Sequence, residues 1–208
     1  MYILERTGGA IGARVAARLG VRAPSVTQAL RRLEAAGWLQ AGPDRLLHLT
    51  PDGERLAEHV MRRHRVLERW LIEGLGLDWA AAHSEAQRME HAVGPEIVDR
   101  LYEALGRPET CPHGNPIPGP AGLPPYGGSL TADALPLGAA ARVVRIAEDA
   151  EEDAGSLARF DELGLRPGAT VRALERRGDA LRLATTAGEA DLDLALAAKV
   201  WVDPAAPR

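Results

Sequence analysis

Pro24-Ser25-Val26-Thr27-Gln28-Ala29-Leu30-Arg31-Arg32-Leu33-Glu34-Ala35-Ala36-Gly37 is followed directly by Trp38-Leu39-Gln40-Ala41, a Gly-Pro-Asp-Arg turn and Leu46-Leu47-His48-Leu49. Val26, Ala29, Leu30 and Leu33 recur three or four residues apart, the spacing of one buried helix face. Pro24 suits the first turn, where its missing N–H has no partner inside the helix anyway, and Gly37 suits the C-cap. Just upstream, Ile11 to Leu19 carries apolar residues at helical spacing until Gly20-Val21 interrupts it. Two short helices about a glycine turn make a helix-turn-helix, although an ordinary helical hairpin explains that pair equally well. The next residues break the tie: Trp38–Ala41 and Leu46–Leu49 read as short strands around a turn, and a hairpin directly after a recognition helix is a wing. Pro24, Ser25, Thr27, Gln28, Arg31 and Arg32 are then the outward residues expected to meet DNA, with Arg45 at the wing tip against the phosphates. Glutamine can pair with an adenine edge, while Ser, Thr and Arg hold phosphates.

Downstream, Thr50-Pro51 supplies an N-cap and a first-turn proline for a long helix to about Glu73. His64 and Glu68 stand four apart on it and project together. A second helix is expected over 79–93, containing His83-Ser-Glu-Ala-Gln-Arg-Met-Glu-His91. At about 100° per residue, with His83 at zero, Gln87 falls at about 40°, Glu90 at about −20° and His91 at about 80°. Trp79, Ala86, Met89 and Val93 lie beside that stripe, so it borders the buried face. Any one of these histidines reads most simply as part of a solvated face. Imidazoles and carboxylates converging from two helices are, however, the usual construction of a divalent metal site in a helical protein. Nitrogen and oxygen donors with an amide and no thiolate suit Mn²⁺ or Fe²⁺, and other divalent transition metals are expected to bind in vitro.

The 208 residues allow two domains, or one with an appendage, and carry a net charge of −4. Bases outnumber acids 12 to 8 up to Gly76, whereas acids outnumber bases 14 to 10 from Leu130 onward, so only the N-terminal part suggests a nucleic-acid partner. Cys111 is the only cysteine, which excludes an intramolecular disulfide and a cage of thiolates for zinc. Neither a long apolar run nor a secretory signal is evident, and a cytoplasmic protein with no membrane partner is expected.

Ala23-Pro-Ser-Val-Thr-Gln28, Leu49-Thr-Pro-Asp-Gly53, Val60-Met-Arg-Arg-His-Arg65, Glu85-Ala-Gln-Arg-Met-Glu-His91 and Gly114-Asn-Pro-Ile-Pro-Gly119 follow one another along the chain. In these motifs and their order the chain resembles the diphtheria toxin repressor family of metal-dependent transcriptional regulators, which includes iron and manganese sensors. The resemblance implies an ancillary metal site on His64, Glu68 and His83, and a primary site on Glu90 and His91. Gln87 stands there in place of the family's cysteine or carboxylate and is a weaker ligand. The family's first helix supplies a further primary ligand, often Met or Asp. Counted back from Ala13-Arg14, this chain starts where that helix is already half finished, so Met1 is assigned no role.

Residues 106–128, rich in Pro and Gly, read as a linker in which Cys111 and His113 could bind metal but read more simply as exposed loop residues without a role. From Leu135 the pattern changes to alternating segments: 141–146, 170–174, 180–184, 189–192 and 199–202 read as strands. Leu163-Gly-Leu-Arg-Pro-Gly-Ala-Thr-Val171 resembles the SH3-like (FeoA-like) small barrel of longer family members. That barrel gives some members additional carboxylate ligands. The acidic run Glu148 to Asp153 sits about there and reads most simply as a solvated loop, with Glu152 or Asp153 as the candidate metal ligand in it.

The expected fold is mainly α with a β C-terminal module: a winged-helix DNA-binding domain over 1–72, a helical metal-binding and dimerisation domain with its linker over 73–128, and an SH3-like domain over 129–208. The expected function is manganese- or iron-dependent regulation of transcription, as a repressor of metal-uptake genes and an element of metal homeostasis. Divalent metal would lock a homodimer, joined through a region including Ile97, Val98 and Leu101, onto palindromic double-stranded operator DNA. One rival is a winged-helix regulator with a small organic effector and no metal switch. Another is a metallohydrolase, for which the sequence offers no dedicated general base and to which a recognition helix would be superfluous.

Overall fold

The computed structural model describes residues 12–43 and 46–204. Met1-Tyr2, Ile11 and Arg45 lie outside the described residues. Two compact units divide the chain between Met61 and Arg62.

In the first unit, α1 (Gly12–Leu19) and α2 (Ala23–Ala35) are followed by a two-stranded antiparallel hairpin of β1 (Leu39–Ala41) and β2 (Leu47–Leu49). Leu39 is buried beneath Val15, Leu30, Leu33, Leu47 and Leu49, so both helices and both strands share one small apolar core. Val26 is buried as its spacing predicts, whereas Ala29 is exposed. Gly37, with φ of 76°, ends α2 in the left-handed region that a side chain resists. Thr50 then ties three elements together. Its hydroxyl donates to the Gly37 carbonyl at 2.6 Å, accepts from the Gly53 N–H at 3.1 Å, and its own N–H donates to Trp38 O at 3.1 Å. This is the N-cap of α3 (Pro51–Glu73).

Gly53 permits that junction. A Cβ there would sit 2.0 Å from the Trp38 carbonyl oxygen, which is backbone and cannot swing aside. Gly53→Ala is expected to destabilise the full chain by about 1–3 kcal/mol or more through overpacking. Equilibrium urea unfolding checks this; an unchanged midpoint would mean that the wing base can yield.

The second unit begins inside α3 rather than at its end, because the C-terminal half of that helix packs on the next two helices of the chain. Leu67 and Leu71 are buried with Ala82 and Ala86 of α4 (Ala82–Met89). Val66 packs with Val98 of α5 (Pro95–Ala104) and with Ile117. Ile97 on the same helix is 52% exposed. The helix expected over 79–93 is thus confined to 82–89, with Trp79 in the preceding turn and Glu90 as its C-cap.

The C-terminal part is a six-stranded antiparallel sheet in the order β3-β8-β4-β5-β6-β7. Its strands are β3 (Leu130–Thr131), β4 (Ala140–Ile146), β5 (Thr170–Arg177), β6 (Ala180–Thr185), β7 (Gly188–Asp193) and β8 (Val200–Asp203). Register shifts at Val143/Arg145 and Ala173/Glu175 mark the irregularities that curl a small sheet toward a barrel. Between β4 and β5 lie α6 (Glu148–Glu151) and α7 (Ala154–Glu162), and α8 (Leu194–Ala197) precedes β8. Phe160, Leu157, Leu165, Leu181, Leu183 and Leu192 fill the core, and Trp79 joins it.

The Pro/Gly-rich stretch is not a solvated linker throughout. Cys111 and residues 113–118 are buried, and their backbone is stitched in place: Cys111 N–H donates to Asn115 O at 2.8 Å, and Ile146 N–H donates to His113 O at 2.9 Å. Proline and glycine here shape a packed turn. Gly114, with φ of 87°, lies so close to β4 that a Cβ would meet Val144 O at 2.1 Å.

Candidate metal centre

The centre is assembled around Glu68, whose side chain is fully buried on the C-terminal half of α3. One turn earlier on the same face, His64 brings Nε2 to 3.0 Å from Glu68 Oε1. From α4, His83 brings Nδ1 to 2.9 Å from the same oxygen and 3.1 Å from His64 Nε2. Three donor atoms from two helices therefore lie within 3.1 Å of one another. Facing ring nitrogens at that distance cannot both carry hydrogens between them, so the set suits a shared proton or a shared cation.

Two further elements close the cluster. Glu151, on α6, places Oε2 3.6 Å from His83 Nδ1 and accepts a hydrogen bond from Asn115 Nδ2. His113, completely buried, has Nδ1 3.4 Å from Glu68 Oε1 and Nε2 3.2 Å from the Trp79 carbonyl. That carbonyl only accepts, so Nε2 carries the hydrogen and Nδ1 is turned toward Glu68. Cys111 completes a second donor set with Glu68 and His113, with ligand atoms within 4.8 Å of one another. Both expectations for this region are therefore corrected. Cys111 and His113 are interior, because Gly114 and Asn115 fold the turn against β4. In the acidic run, Glu148 and Glu151 are buried while Glu152 and Asp153 are exposed, because α6 turns the former two inward and Asp153 caps α7 through Gly155 and Ser156 N–H groups. Glu148 itself is engaged by Arg65 and Tyr126.

The electrostatics fit a cation. Burial alone pushes the Glu68 carboxyl up, but His64 and His113 beside it hold it well below the usual range. Glu151 is pushed up, first by burial and then by Glu68. Burial, with Glu68 and Glu151 nearby, pushes the Cys111 thiol far up, so it ionises only when a cation takes its proton's place. Glu68 Oε2 is buried without a hydrogen-bond partner, an acceptor whose desolvation a bound cation would offset. A nitrogen- and oxygen-rich donor set with one thiol in reach fits a divalent transition metal.

His64 is raised from 6.5 to about 10: burial lowers it, and Glu68 and Glu90 on its two ring nitrogens outweigh that. Because the folded value is raised, the protonated ring stabilises the metal-free chain fully below pH 6.5, and that contribution is lost as pH climbs toward 10. Metal must displace the proton, so Mn²⁺ affinity should rise over the same window, by up to about tenfold per pH unit for one proton released. Urea unfolding of the metal-free chain and Mn²⁺ titration at several pH values check both signs.

The remaining sequence candidates fall elsewhere. Glu90 is buried, but turns Oε2 to His64 Nδ1 at 2.8 Å. Gln87 is exposed, and His91 is 80% exposed with Nε2 3.4 Å from Glu90 Oε1. On the first unit, Pro24, Ser25, Thr27, Gln28, Arg31 and Arg32 are all exposed along α2, and the Thr27 hydroxyl donates to Ala23 O at 2.9 Å.

Residues 50–119 match the family model of the iron-dependent repressor metal-binding and dimerisation domain, and residues 130–204 match the FeoA domain. The iron-dependent repressor IdeR of Mycobacterium tuberculosis is 38% identical over 181 residues, covering 82% of this chain and 79% of that protein. The chain belongs to the diphtheria toxin repressor family. The diphtheria toxin repressor of Corynebacterium glutamicum is also 38% identical, over 187 residues covering 86% of this chain and 82% of that one. Among solved structures, a manganese-dependent transcriptional repressor in complex with manganese superimposes with a TM-score of 0.84 at 31% identity, covering 94% of this chain and 91% of that chain. These relatives of the repressor family are regulators, not enzymes. Among the described residues, no helix is long and apolar enough to cross a membrane.

Proposed function

We propose that this member of the family is a divalent-metal-dependent transcriptional repressor, in which Mn²⁺ or Fe²⁺ bound around Glu68 governs the affinity of a homodimer for palindromic operator DNA. The observation that carries the reading is the triangle of His64 Nε2, Glu68 Oε1 and His83 Nδ1, buried and drawn from two helices. His64, Glu68 and His83 would hold the ion, with Glu151 adding a carboxylate and Cys111 and His113 also within reach of Glu68. A bound ion would supply bonds between α3 and α4 stronger than proton-mediated contacts can. α3 runs without a break from the first unit into the second, so a restraint on its C-terminal half bears on the helix that leaves the recognition unit. Two recognition helices in a dimer need a separation of about 34 Å to enter successive major grooves. Iron and manganese are the metals in the relatives' names, and metal-uptake genes are the targets whose repression such a sensor would serve. A small organic effector would not call for buried imidazoles and carboxylates converging on one oxygen.

The test is fluorescence anisotropy with a duplex selected by this protein from a random pool in the presence of Mn²⁺. Specific affinity is expected with Mn²⁺ or anaerobic Fe²⁺ and lost on chelation. Equal affinity with chelator would contradict the reading.

A further inference from the structure

We infer that Glu90 is a positioning residue behind His64 and not itself a metal ligand, so that, among the described residues, the regulatory ion site is the one around Glu68 and Gln87, Glu90 and His91 form no second one. This rests on the metal reading above and narrows it. His64 has two ring nitrogens with separate tasks: Nε2 points at Glu68 Oε1 and His83 Nδ1, while Nδ1 points the opposite way, at Glu90 Oε2, 2.8 Å distant. A carboxylate only accepts, so Nδ1 keeps its hydrogen toward Glu90, and the Nε2 hydrogen, facing Glu68, is the one that an ion displaces. Metal-binding histidines are almost always fixed in this manner by an acceptor on the far nitrogen, which sets the tautomer, the ring plane and the basicity of the ligating atom.

Glu90 is well placed for this and badly placed to serve a site of its own. As the C-cap of α4 it is held by its backbone, since its N–H donates to Ala86 O at 2.9 Å and its carbonyl accepts from Arg63 Nη1 at 2.8 Å. Its side chain is mostly buried, with Oε2 taken by His64 and Oε1 3.4 Å from His91 Nε2. The neighbours that would share an ion with it are in water: Gln87 is exposed and neutral, and His91 is 80% exposed. A solvated amide and a solvated imidazole offer little against the loss of the His64 contact.

Elemental analysis, Mn²⁺ titration and Co²⁺ absorption of the full chain test the assignment in the wild type, Glu90→Gln and Glu90→Ala. One ion per chain is expected in the wild type and in Glu90→Gln. The Gln variant should keep the Co²⁺ band positions, because the ligands are unchanged, and bind about 10- to 100-fold more weakly. Glu90→Ala should bind more weakly still, since glutamine's carbonyl can accept from Nδ1–H and alanine has nothing to offer. ¹⁵N NMR of wild-type protein loaded with ¹¹³Cd²⁺ needs no variant and should show metal coupling at His64 Nε2, with Nδ1 protonated. Two ions in the wild type falling to one in Glu90→Gln, or a shifted Co²⁺ spectrum in that variant, would overturn the role of Glu90 and leave the Glu68 site standing. A wild-type chain that takes up no ion would overturn both.

Discussion

Glu68→Gln is expected to weaken Mn²⁺ binding by more than about 100-fold, beyond the 10- to 100-fold that losing an outer-shell partner costs. The reason is geometric. One oxygen of Glu68 lies 3.0 Å from His64 Nε2, 2.9 Å from His83 Nδ1 and 3.4 Å from His113 Nδ1, so both donor sets pass through it. Glutamine preserves the volume but removes the charge and puts an amide among nitrogens, leaving the cluster unable to offset the desolvation of a divalent cation. Specific DNA binding should then lose its dependence on metal. Glu85→Gln is the control: Glu85 pairs with exposed Arg88, and its loss should change neither metal nor DNA affinity. Isothermal titration with Mn²⁺ and anisotropy with the selected duplex check both variants. Near-native affinity in Glu68→Gln would move the site elsewhere.

Gly114→Ala should destabilise the full chain by about 2–5 kcal/mol, as the left-handed backbone costs about 1–2 kcal/mol for an L-residue and overpacking adds about 1–3. The clash is with backbone, at 2.1 Å from Val144 O and 2.8 Å from Arg145 Cα, so no side chain can rotate to relieve it. Relief requires the turn to leave β4, which moves Cys111 and His113 away from Glu68. Gly178→Ala separates the two terms. Gly178 has φ of 61°, but a Cβ there meets nothing within 4 Å, so only the conformational cost should appear. Urea unfolding ranks the pair, and Mn²⁺ titration should show a loss of affinity in Gly114→Ala only. Equal midpoints for both would mean that the turn yields without cost.

Local signals made the first unit legible. Val26, Leu30 and Leu33 at helical spacing, Gly37 at the cap and Thr50-Pro51 at the next helix start each act within a few residues, and the described structure follows them. The strands of the C-terminal sheet were legible for the same reason, since alternation such as that of Ala141 to Ile146 is local.

The site was legible only in part. His64, Glu68 and His83 converge because each pair is fixed by helix geometry and by the packing of α3 on α4. His83 and His91 share a stripe only if the helix continues to His91, and α4 ends at Met89, so Glu90 swings to His64 and His91 faces water. The burial of Cys111, His113, Glu148 and Glu151 depends on partners distant in sequence and leaves little local signal. Nothing in Cys111-Pro-His-Gly-Asn115 announces that Ile146 and Trp79 will hold it. The available signal was the glycine between His113 and Asn115, which marks a close backbone approach.

Anomalous scattering from crystals grown or soaked with Mn²⁺, collected at the manganese edge, shows directly whether an ion sits at Glu68. A single strong peak bonded to His64 Nε2, Glu68 Oε1 and His83 Nδ1 is the predicted result. Peaks confined to exposed carboxylates, with those three side chains sharing no ion, would contradict it.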